Sequence, residues 1–468
     1  MFDFVLLFEK EYEKKDGKIQ ITSQYPEGIE FLDREIIEKL CIPRKLKKSD
    51  IFMFNTPNSY CYTYSFVSRI SHKSGNQIRK KCSIVIISSH FRPSLFIDFL
   101  ASVSMSFSRN EAEPLCRFVL VQSLLISWST NNDGDLIVNY PYNTFIVSLN
   151  DNQSWTNGFN IAPLFPYVDN IWNAAIRNKG ILIYAPTSAL ASSSTLAIFS
   201  IIEPFVYSEP YLNCTQRGDP RISKVYEHYE KTQSFEIEGP LLEMLSQYKI
   251  ISTTDQKLFH FLSNLIVNSQ YPNHLFRNPS QNSMNDSISD SQVDSFADPN
   301  NPTPPGTFLS SNSLFKAVIK INEKHFVHMN DLKSVYTKKT RRIIRQFNAL
   351  LNFSLLSDPY FDILHKHVEE TEFTRIWPNE NRKELYADFQ NTMTFKKWRH
   401  IESDREQLRT SFLSVPPKEA VEKVPPELCK EAIKQIHLIL NAHKRDEHFG
   451  TILKLNLSLL KKKIKNVK

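Results

Sequence analysis

Residues 164–186, which read LFPYVDNIWNAAIRNKGILIYAP, carry the pattern that decides the fold class. Apolar side chains recur at helical spacing through the first half of this stretch, which predicts a core-facing helix. Gly180 is the expected C-terminal stop of that helix. Ile181–Tyr184 is a continuous apolar run, as in a strand covered on both faces, and Pro186 ends it. A helix followed by a buried strand is the repeating step of an α/β layer.

The chain that follows repeats this step. Ser192–Ile202 is a predicted helix, rich in small residues. A further strand is predicted at Tyr248–Ile251, and a helix over Asp255–Val267. We therefore expect residues 161–270 to form a central, doubly wound α/β module.

The N-terminal residues 1–108 have the pattern of a smaller α/β module. Phe2–Phe8 is a predicted strand, and Asp33 is the predicted capping residue of a short helix. Side chains over Tyr60–Val67 alternate with a two-residue period and are strong β formers, which predicts another strand. Pro93 opens a predicted helix with an apolar stripe. Strands closed by a packed helix resemble a longin-like layer.

The other blocks differ in composition. Residues 109–160 hold a predicted helix over Leu115–Trp128 and a connecting linker. Residues 271–313 are rich in Asn, Ser and Pro, and they contain too few apolar side chains to offset chain entropy, so a disordered insert is expected. Residues 314–468 are predicted to be helical, with a last core-facing helix at Ile433–Leu440 before a basic tail. The expected fold class is α/β plus α.

Composition disfavours several classes of function. The ten glycines are scattered, whereas a loop that cradles phosphate needs them clustered, so a bound nucleotide cofactor is not expected. The six cysteines form neither a CxxC pair nor a zinc-ligand pattern, which predicts reduced thiols and no metal site. Neither HExxH nor GxSxG occurs. No apolar window approaches the length of a spanning helix, and a cytoplasmic location is expected.

The three blocks in this order resemble the DENN-domain family, which has a longin-like module, a central α/β module and a helical C-terminal module. Residues 164–186 are similar to the central signature of that family. Residues 248–255, YKIISTTD, resemble its later strand, which usually reads apolar-Gly-Thr-Thr-Asn/Asp-Pro. The match is partial, because Ser252 replaces the usual Gly and Gln256 the usual Pro.

The C-terminal block narrows the resemblance. Residues 383–398, KELYADFQNTMTFKKW, lie in a predicted long helix over Lys383–Leu413. They are similar to the LYxxFxxSxNFxxW helix of the DENN domain-containing protein 6 subgroup. That resemblance implies guanine nucleotide exchange on an endosomal Rab-type small GTPase, without cofactor and without bond-making chemistry.

The resemblance also implies a contact surface. In the family, the switch regions of the Rab lie against a surface shared by the longin-like and central modules. The candidate contacts here are two loops, Ala185, Pro186 and Thr187 after the first buried strand, and Thr253, Thr254 and Asp255 after the later one. The alternative interpretation is that both are ordinary strand-end turns.

The basic tail is the second candidate surface. Its cations are Lys461, Lys462, Lys463, Lys465 and Lys468, and an anionic membrane is one expected partner. The alternative is that they complement the dipole of a helix end. Nucleic acid is not an expected partner, because no aromatic platform interleaves these charges.

Two other functions stay open. The same fold could serve as a non-catalytic Rab effector or trafficking scaffold. A folliculin-like GTPase-activating protein is the other alternative, with Arg69 or Arg79 as its arginine finger, although nothing in the sequence marks either residue.

Overall fold

The computed structural model describes most of the N-terminal two thirds of the chain and parts of the remainder. The described residues are 2–11, 19–46, 49–71, 77–107, 113–132, 134–149, 155–156, 159, 164, 167–237, 239–267, 314–321, 336–341, 343, 385, 387–401, 416–422, 424, 426, 429–442 and 447–466. The predicted disordered insert lies outside them. The chain divides into a unit of residues 1–343 with 380–394 and a unit of residues 344–379 with 395–468.

The first unit begins with a five-stranded antiparallel sheet of strand order β2-β1-β5-β4-β3. Three helices accompany it. The elements are β1 Phe4–Glu11, β2 Gln20–Tyr25, α1 Arg34–Leu40, β3 Ser49–Asn55, β4 Tyr60–Ser71, β5 Gln77–Ser88, α2 Pro93–Ser106 and α3 Pro114–Ile126. The predicted strands and the helix opened by Pro93 are confirmed.

The two-residue alternation in β4 reflects two covered faces. Tyr62 stacks on Phe96 of α2, with ring centroids 4.6 Å apart. On the opposite face, the hydroxyls of Ser65 and Ser83 both donate to the carbonyl of Cys41, at 2.9 and 2.7 Å. Large aromatic side chains thus meet the helices, and small polar ones meet the chain that follows α1.

Asp33 occupies the N-cap position of α1 but does not cap it. Its backbone is left-handed, with φ 60°, and no hydrogen bond joins its side chain to the first turn. The carboxylate instead accepts hydrogen bonds from the backbone N–H of Asn58, at 3.2 Å, and from the side-chain amide of Asn58. The prediction of a capping side chain was wrong because a residue distant in sequence offers better-placed donors.

A small antiparallel sheet occupies part of the predicted linker. Its strands are β6 Ser129–Thr130, β7 Leu136–Asn139 and β8 Thr144–Val147. Leu136 and Val138 form a buried cluster with Leu95 of α2, against which Trp128 packs. This sheet is therefore anchored on the N-terminal module.

A parallel sheet of order β10-β12-β9-β14 follows, with helices on both faces. α4 and α5 contact the sheet, while α6, α7 and α8 contribute side chains to a core that includes Leu182, Leu212 and Ile251. The mixed α/β expectation is confirmed. The elements are α4 Val168–Ile176, β9 Gly180–Tyr184, α5 Ser188–Ile201, β10 Tyr211–Thr215, α6 Ser223–Thr232, β11 Glu236–Ile237, α7 Gly239–Ser246, β12 Ile250–Thr253, α8 Gln256–Ser263, β13 Ile266–Val267 and β14 Phe315–Lys320.

Strand β14 corrects the prediction that everything after residue 313 is helical. Its residues alternate between buried and partly exposed, and it pairs in parallel with β9. Phe315 and Ile319 are buried. An alternation of two residues suits an edge strand and does not suit a helix face.

Gly180 has a different role from the predicted one. The helix α4 ends at Ile176, and the left-handed residue after it is Asn178, with φ 55°. Gly180 begins β9, where a Cβ atom would lie 2.5 Å from the carbonyl oxygen of Leu314. The glycine is needed because the chain entering β14 passes directly over it.

The edge strand β3 joins the antiparallel sheet to the central module. The backbone N–H of Met53 donates to the hydroxyl of Ser192 in α5, at 2.9 Å. The carboxylate of Asp50 accepts the N–H groups of Ser188 and Ala189, at 3.0 and 3.1 Å, and so caps α5. The side-chain amide of Asn55 donates to the carbonyl of Tyr211 and accepts the N–H of Asn213 on β10. These bonds define a polar seam between β3 and the central module.

The second unit contains three complete helices among its described residues, α9 Pro417–Glu422, α10 Cys429–Ala442 and α11 Glu447–Asn466. Val421, Cys429 and Leu460 form their common core. The helix at Ile433–Leu440 is therefore not the last one, because residues 461–466 of the predicted basic tail belong to α11. The predicted helix Lys383–Leu413 is interrupted, since residues 391–392 separate the helical ranges 387–390 and 393–401.

We predict that Gly180→Ala lowers the free energy of unfolding by about 1–3 kcal/mol, because either β14 or β9 must shift to admit the methyl group. Urea unfolding measures the change. Gly218→Ala is the matched control, since a Cβ there meets its nearest neighbours only at 3.8 and 3.9 Å. Equal midpoints for the two variants would contradict the close approach of β14.

We predict that Asp50→Ala costs about 1–2 kcal/mol, because two N–H groups at the start of α5 lose their acceptor. The exposed Glu227→Ala on α6 is the control. Equal urea midpoints for both variants would show that water replaces the carboxylate without cost.

Candidate functional site

The two predicted contact loops lie side by side at one edge of the central sheet. β9 and β12 are neighbouring parallel strands, with Tyr184 in register with Thr253. The N–H of Ala185 donates to the carbonyl of Thr253, at 3.1 Å. Because carboxyl ends of parallel strands share one edge, the loops that follow them form one surface, as expected for a site on an α/β sheet.

The first loop exposes two of its three candidate residues. Ala185 is fully buried, Pro186 is partly buried and Thr187 is exposed. The hydroxyl of Thr187 accepts the N–H of Leu190, at 3.2 Å, which makes Thr187 the N-cap of α5. That helix begins four residues earlier than the predicted Ser192, because its cap is Thr187. A partner at this loop would meet Pro186 and Thr187.

The second loop exposes Thr254. Thr253 belongs to β12 and is fully buried, and its hydroxyl donates to the carbonyl of Thr215, at 2.7 Å. Thr254 is partly exposed. Asp255 is buried and caps α8, where one carboxylate oxygen accepts the N–H groups of Lys257 and Leu258. Thr254 is therefore the candidate of this loop that offers its side chain to a partner.

Two arginines converge on Asp255. The Nε of Arg217, in the loop after β10, donates to Oδ2 of Asp255 at 2.7 Å. Nη1 of Arg44, from the chain after α1, lies 3.4 Å from the same oxygen. The side chain of Asp255 is 5% exposed, whereas that of Arg44 is 50% exposed. One buried carboxylate thus holds two cations, one of them from the N-terminal module.

The pKa of Asp255 reflects this arrangement. Burial by itself would raise the pKa of the carboxyl. The hydrogen bond and the charge of Arg217 outweigh burial, so the pKa of Asp255 lies below its ordinary value. The carboxylate is therefore charged at neutral pH and keeps the arginines in place.

More cations surround this pair. A Cβ at Gly218 would lie 3.8 Å from Cδ of Lys39 and 3.9 Å from Nη2 of Arg44, so both side chains flank the loop after β10. Lys39 and Lys257 are exposed. The edge that holds Pro186, Thr187 and Thr254 is consequently bordered by positive charge, which favours an acidic partner.

Sequence reasoning did not find Arg44 and Arg217. Neither lies within the quoted motifs, and they meet Asp255 from positions far apart in the chain. The only local signal was Asp255 itself, a buried acid at a helix start that requires compensating donors. Arg69 and Arg79, the candidate arginine fingers, occupy paired backbone positions in the β4–β5 ladder.

The tail lysines do not act alike. Lys461, Lys462 and Lys465 are exposed on α11, whereas Lys468 lies outside the described residues. The Nζ of Lys463 donates to the carbonyls of Val421, Glu422 and Val424, at 3.0, 3.1 and 2.7 Å. Lys463 thus satisfies the C-terminal carbonyls of α9 and is not available as a surface cation.

Among the described residues, no cluster of His, Cys, Asp and Glu has the arrangement of a metal site. In the same part of the chain, no helix combines the length and hydropathy that crossing a bilayer requires. None of the six cysteines is in a disulfide, and Cys116 alone among the six is exposed.

No protein-family model matches the chain, and no curated protein matches it.

We predict that Asp255→Asn lowers the free energy of unfolding at pH 7 by about 1.5–3 kcal/mol, because Arg217 loses a charged acceptor. The lowered pKa means that this contribution is present at neutral pH and is lost as the pH falls below about 4. The difference between parent and variant should therefore shrink in acid. Urea titrations at pH 7 and pH 3 measure it, with the exposed Glu243→Gln as control. A difference independent of pH would contradict the ion pair.

Proposed function

We propose that this chain is a DENN-type guanine nucleotide exchange factor that promotes GDP release from a Rab-type small GTPase. In this proposal the N-terminal antiparallel sheet is the longin-like module and the doubly wound sheet is the central DENN module. The second unit is the helical C-terminal module, and the cytoplasmic protein acts at an endosomal membrane. No bond-making chemistry and no cofactor are required.

One observation carries the proposal, namely that the predicted contact edge is built from both modules. Arg44 of the N-terminal module lies beside Asp255, and Asp50 of the same module caps the helix that starts after Thr187. The family resemblance implies a GTPase surface shared by these two modules. Pro186, Thr187 and Thr254 offer partly or fully exposed side chains at that shared edge.

The two departures from the family strand are compatible with its fold. Ser252 is buried, and its hydroxyl donates to the side chain of Asn213 and accepts the N–H of Cys214. It thereby supports a bulge in β10, where Cys214 has φ 57°. Gln256 is the first residue of α8, a position at which proline is also favoured. Both substitutions therefore fit the same strand and helix start.

Thermodynamic linkage explains how a protein can promote nucleotide exchange only by binding the GTPase. A protein that binds the nucleotide-free GTPase more tightly than the loaded form must lower nucleotide affinity by the same factor. A rigid edge with fixed cations would bind the nucleotide-free GTPase more tightly than the GDP-bound one under one condition. The acidic and polar groups of the switch regions must face this edge only after GDP has left. The Asp255 ion pairs, which fix Arg44 and Arg217, provide that rigidity.

Release of fluorescent GDP from a panel of purified Rab proteins tests the proposal. Acceleration of at least one member is expected. No acceleration, combined with binding to a GTP-loaded member, would replace the exchange proposal by an effector or scaffold. Acceleration of GTP hydrolysis without GDP release would replace it by a GTPase-activating function.

On the responding GTPase, we predict that Thr254→Glu slows exchange by at least about tenfold, because the new carboxylate would repel the acidic groups of a partner that the surrounding cations attract. Asn132→Glu is the control, since Asn132 is exposed in the small sheet region and outside the proposed edge. Unchanged circular dichroism would establish that both variants fold. Exchange by Thr254→Glu at the parental rate would remove this edge from the interface.

A further inference from the structure

α11 carries one continuous exposed face. Among residues 451–465 of this helix, the exposed ones follow the spacing of a helix and are Thr451, Lys454, Leu455, Ser458, Lys461, Lys462 and Lys465. Leu453, Asn456 and Leu460 are buried on the opposite side. The four exposed lysines are called the basic face below.

The basic face is a compact row of charge. At 3.6 residues per turn, the four lysines of the basic face fall within an arc of about 100° around the helix axis. They span about 16 Å along that axis, from Lys454 to Lys465. The sequence contains no Asp or Glu after Glu447. Within α11, an acidic side chain can therefore come only from its first residue, Glu447, and none is interspersed among the lysines of the row.

Helix capping explains one lysine of the row, Lys465, which lies in the last turn of α11, but not the other three. The favourable effect of a cation on a helix dipole is confined to the last turn. Lys454 lies three turns before the end of α11, which is Asn466. Lys463 is the lysine used for capping, because it donates to the terminal carbonyls of α9, and it points away from the basic face.

We propose that the basic face binds the surface of an anionic membrane. The row contains lysines only, which act as point charges on flexible stems, whereas arginine is the residue that recognises individual carboxylates or phosphates by paired hydrogen bonds. No aromatic ring lies on this face to stack a nucleic-acid base. Leu455, 51% exposed, adds an apolar contact beside Lys454.

In this proposal α11 contacts the membrane peripherally, through the charges of its lysines. The apolar side of α11 is occupied by α9 and α10, since Leu460 shares a core with Val421 and Cys429. The helix therefore lies on the lipid headgroups without inserting its apolar face. Attraction of this kind requires acidic lipid and weakens as salt shortens the Debye length.

Sedimentation with vesicles tests the proposal on the full chain. Vesicles of phosphatidylcholine mixed with phosphatidylserine should pellet the protein at low salt, and vesicles of phosphatidylcholine alone should not. The quadruple variant Lys454→Glu, Lys461→Glu, Lys462→Glu and Lys465→Glu should bind at least about a hundredfold more weakly. The control Lys45→Glu, Lys224→Glu, Lys231→Glu and Lys397→Glu has the same net charge and exchanges four exposed lysines elsewhere, and it should bind like the parent.

A variant that binds vesicles more tightly than the parent provides a test that misfolding cannot explain. Ser458 lies near the centre of the basic face, so Ser458→Lys should strengthen sedimentation about three- to fivefold, while Ser458→Gln should leave it unchanged. Equal binding to both kinds of vesicle, parental binding by the quadruple variant, or loss of binding in the control would each overturn the proposal. The test uses no GTPase, so its result is independent of the exchange assay.

Discussion

The contact of β3 with the central module is the constraint on which the rest of the first unit depends. β3 is the edge of a sheet, so its outward backbone groups need partners. The start of α5 has unsatisfied N–H groups, and β10 is the edge of the other sheet. Asp50, Met53 and Asn55 satisfy all three needs at once. Hydrogen bonds are directional, and they therefore fix the geometry of this contact more narrowly than apolar packing would.

The polar seam between β3 and the central module also makes the candidate edge rigid. α5 starts directly after Thr187, and its first N–H groups are held by Asp50. Arg44 reaches Asp255 from the same N-terminal module. The bulge in β10 lies between these contacts, with Cys214 in a left-handed conformation and its N–H bonded to Ser252. A non-glycine residue in this conformation persists only where its surroundings determine it strongly.

Local signals in the sequence were enough for some elements and not for others. α4 and β9 could be predicted, because periodicity and a continuous apolar run are properties of neighbouring residues. β14 could not be placed, because its partner β9 precedes it by more than a hundred residues, although the alternation of Phe315, Ala317 and Ile319 was visible. The two loops of the candidate edge were predicted as contact candidates. Their position side by side, the burial of Thr253 and the convergence of Arg44 and Arg217 on Asp255 depend on tertiary packing.

The late position of β14 has a consequence for chain connectivity. The sheet takes its first strands from residues 180–253 and its last strand from residues 315–320, so residues 268–314 connect two parts of one hydrogen-bonded layer. A single peptide cleavage in that connection would leave two polypeptides joined without a covalent bond, through the β9–β14 ladder and the apolar side chain of Phe315. The layer is thus assembled from two segments that are far apart in the chain, and backbone hydrogen bonds as well as the connecting residues hold them together.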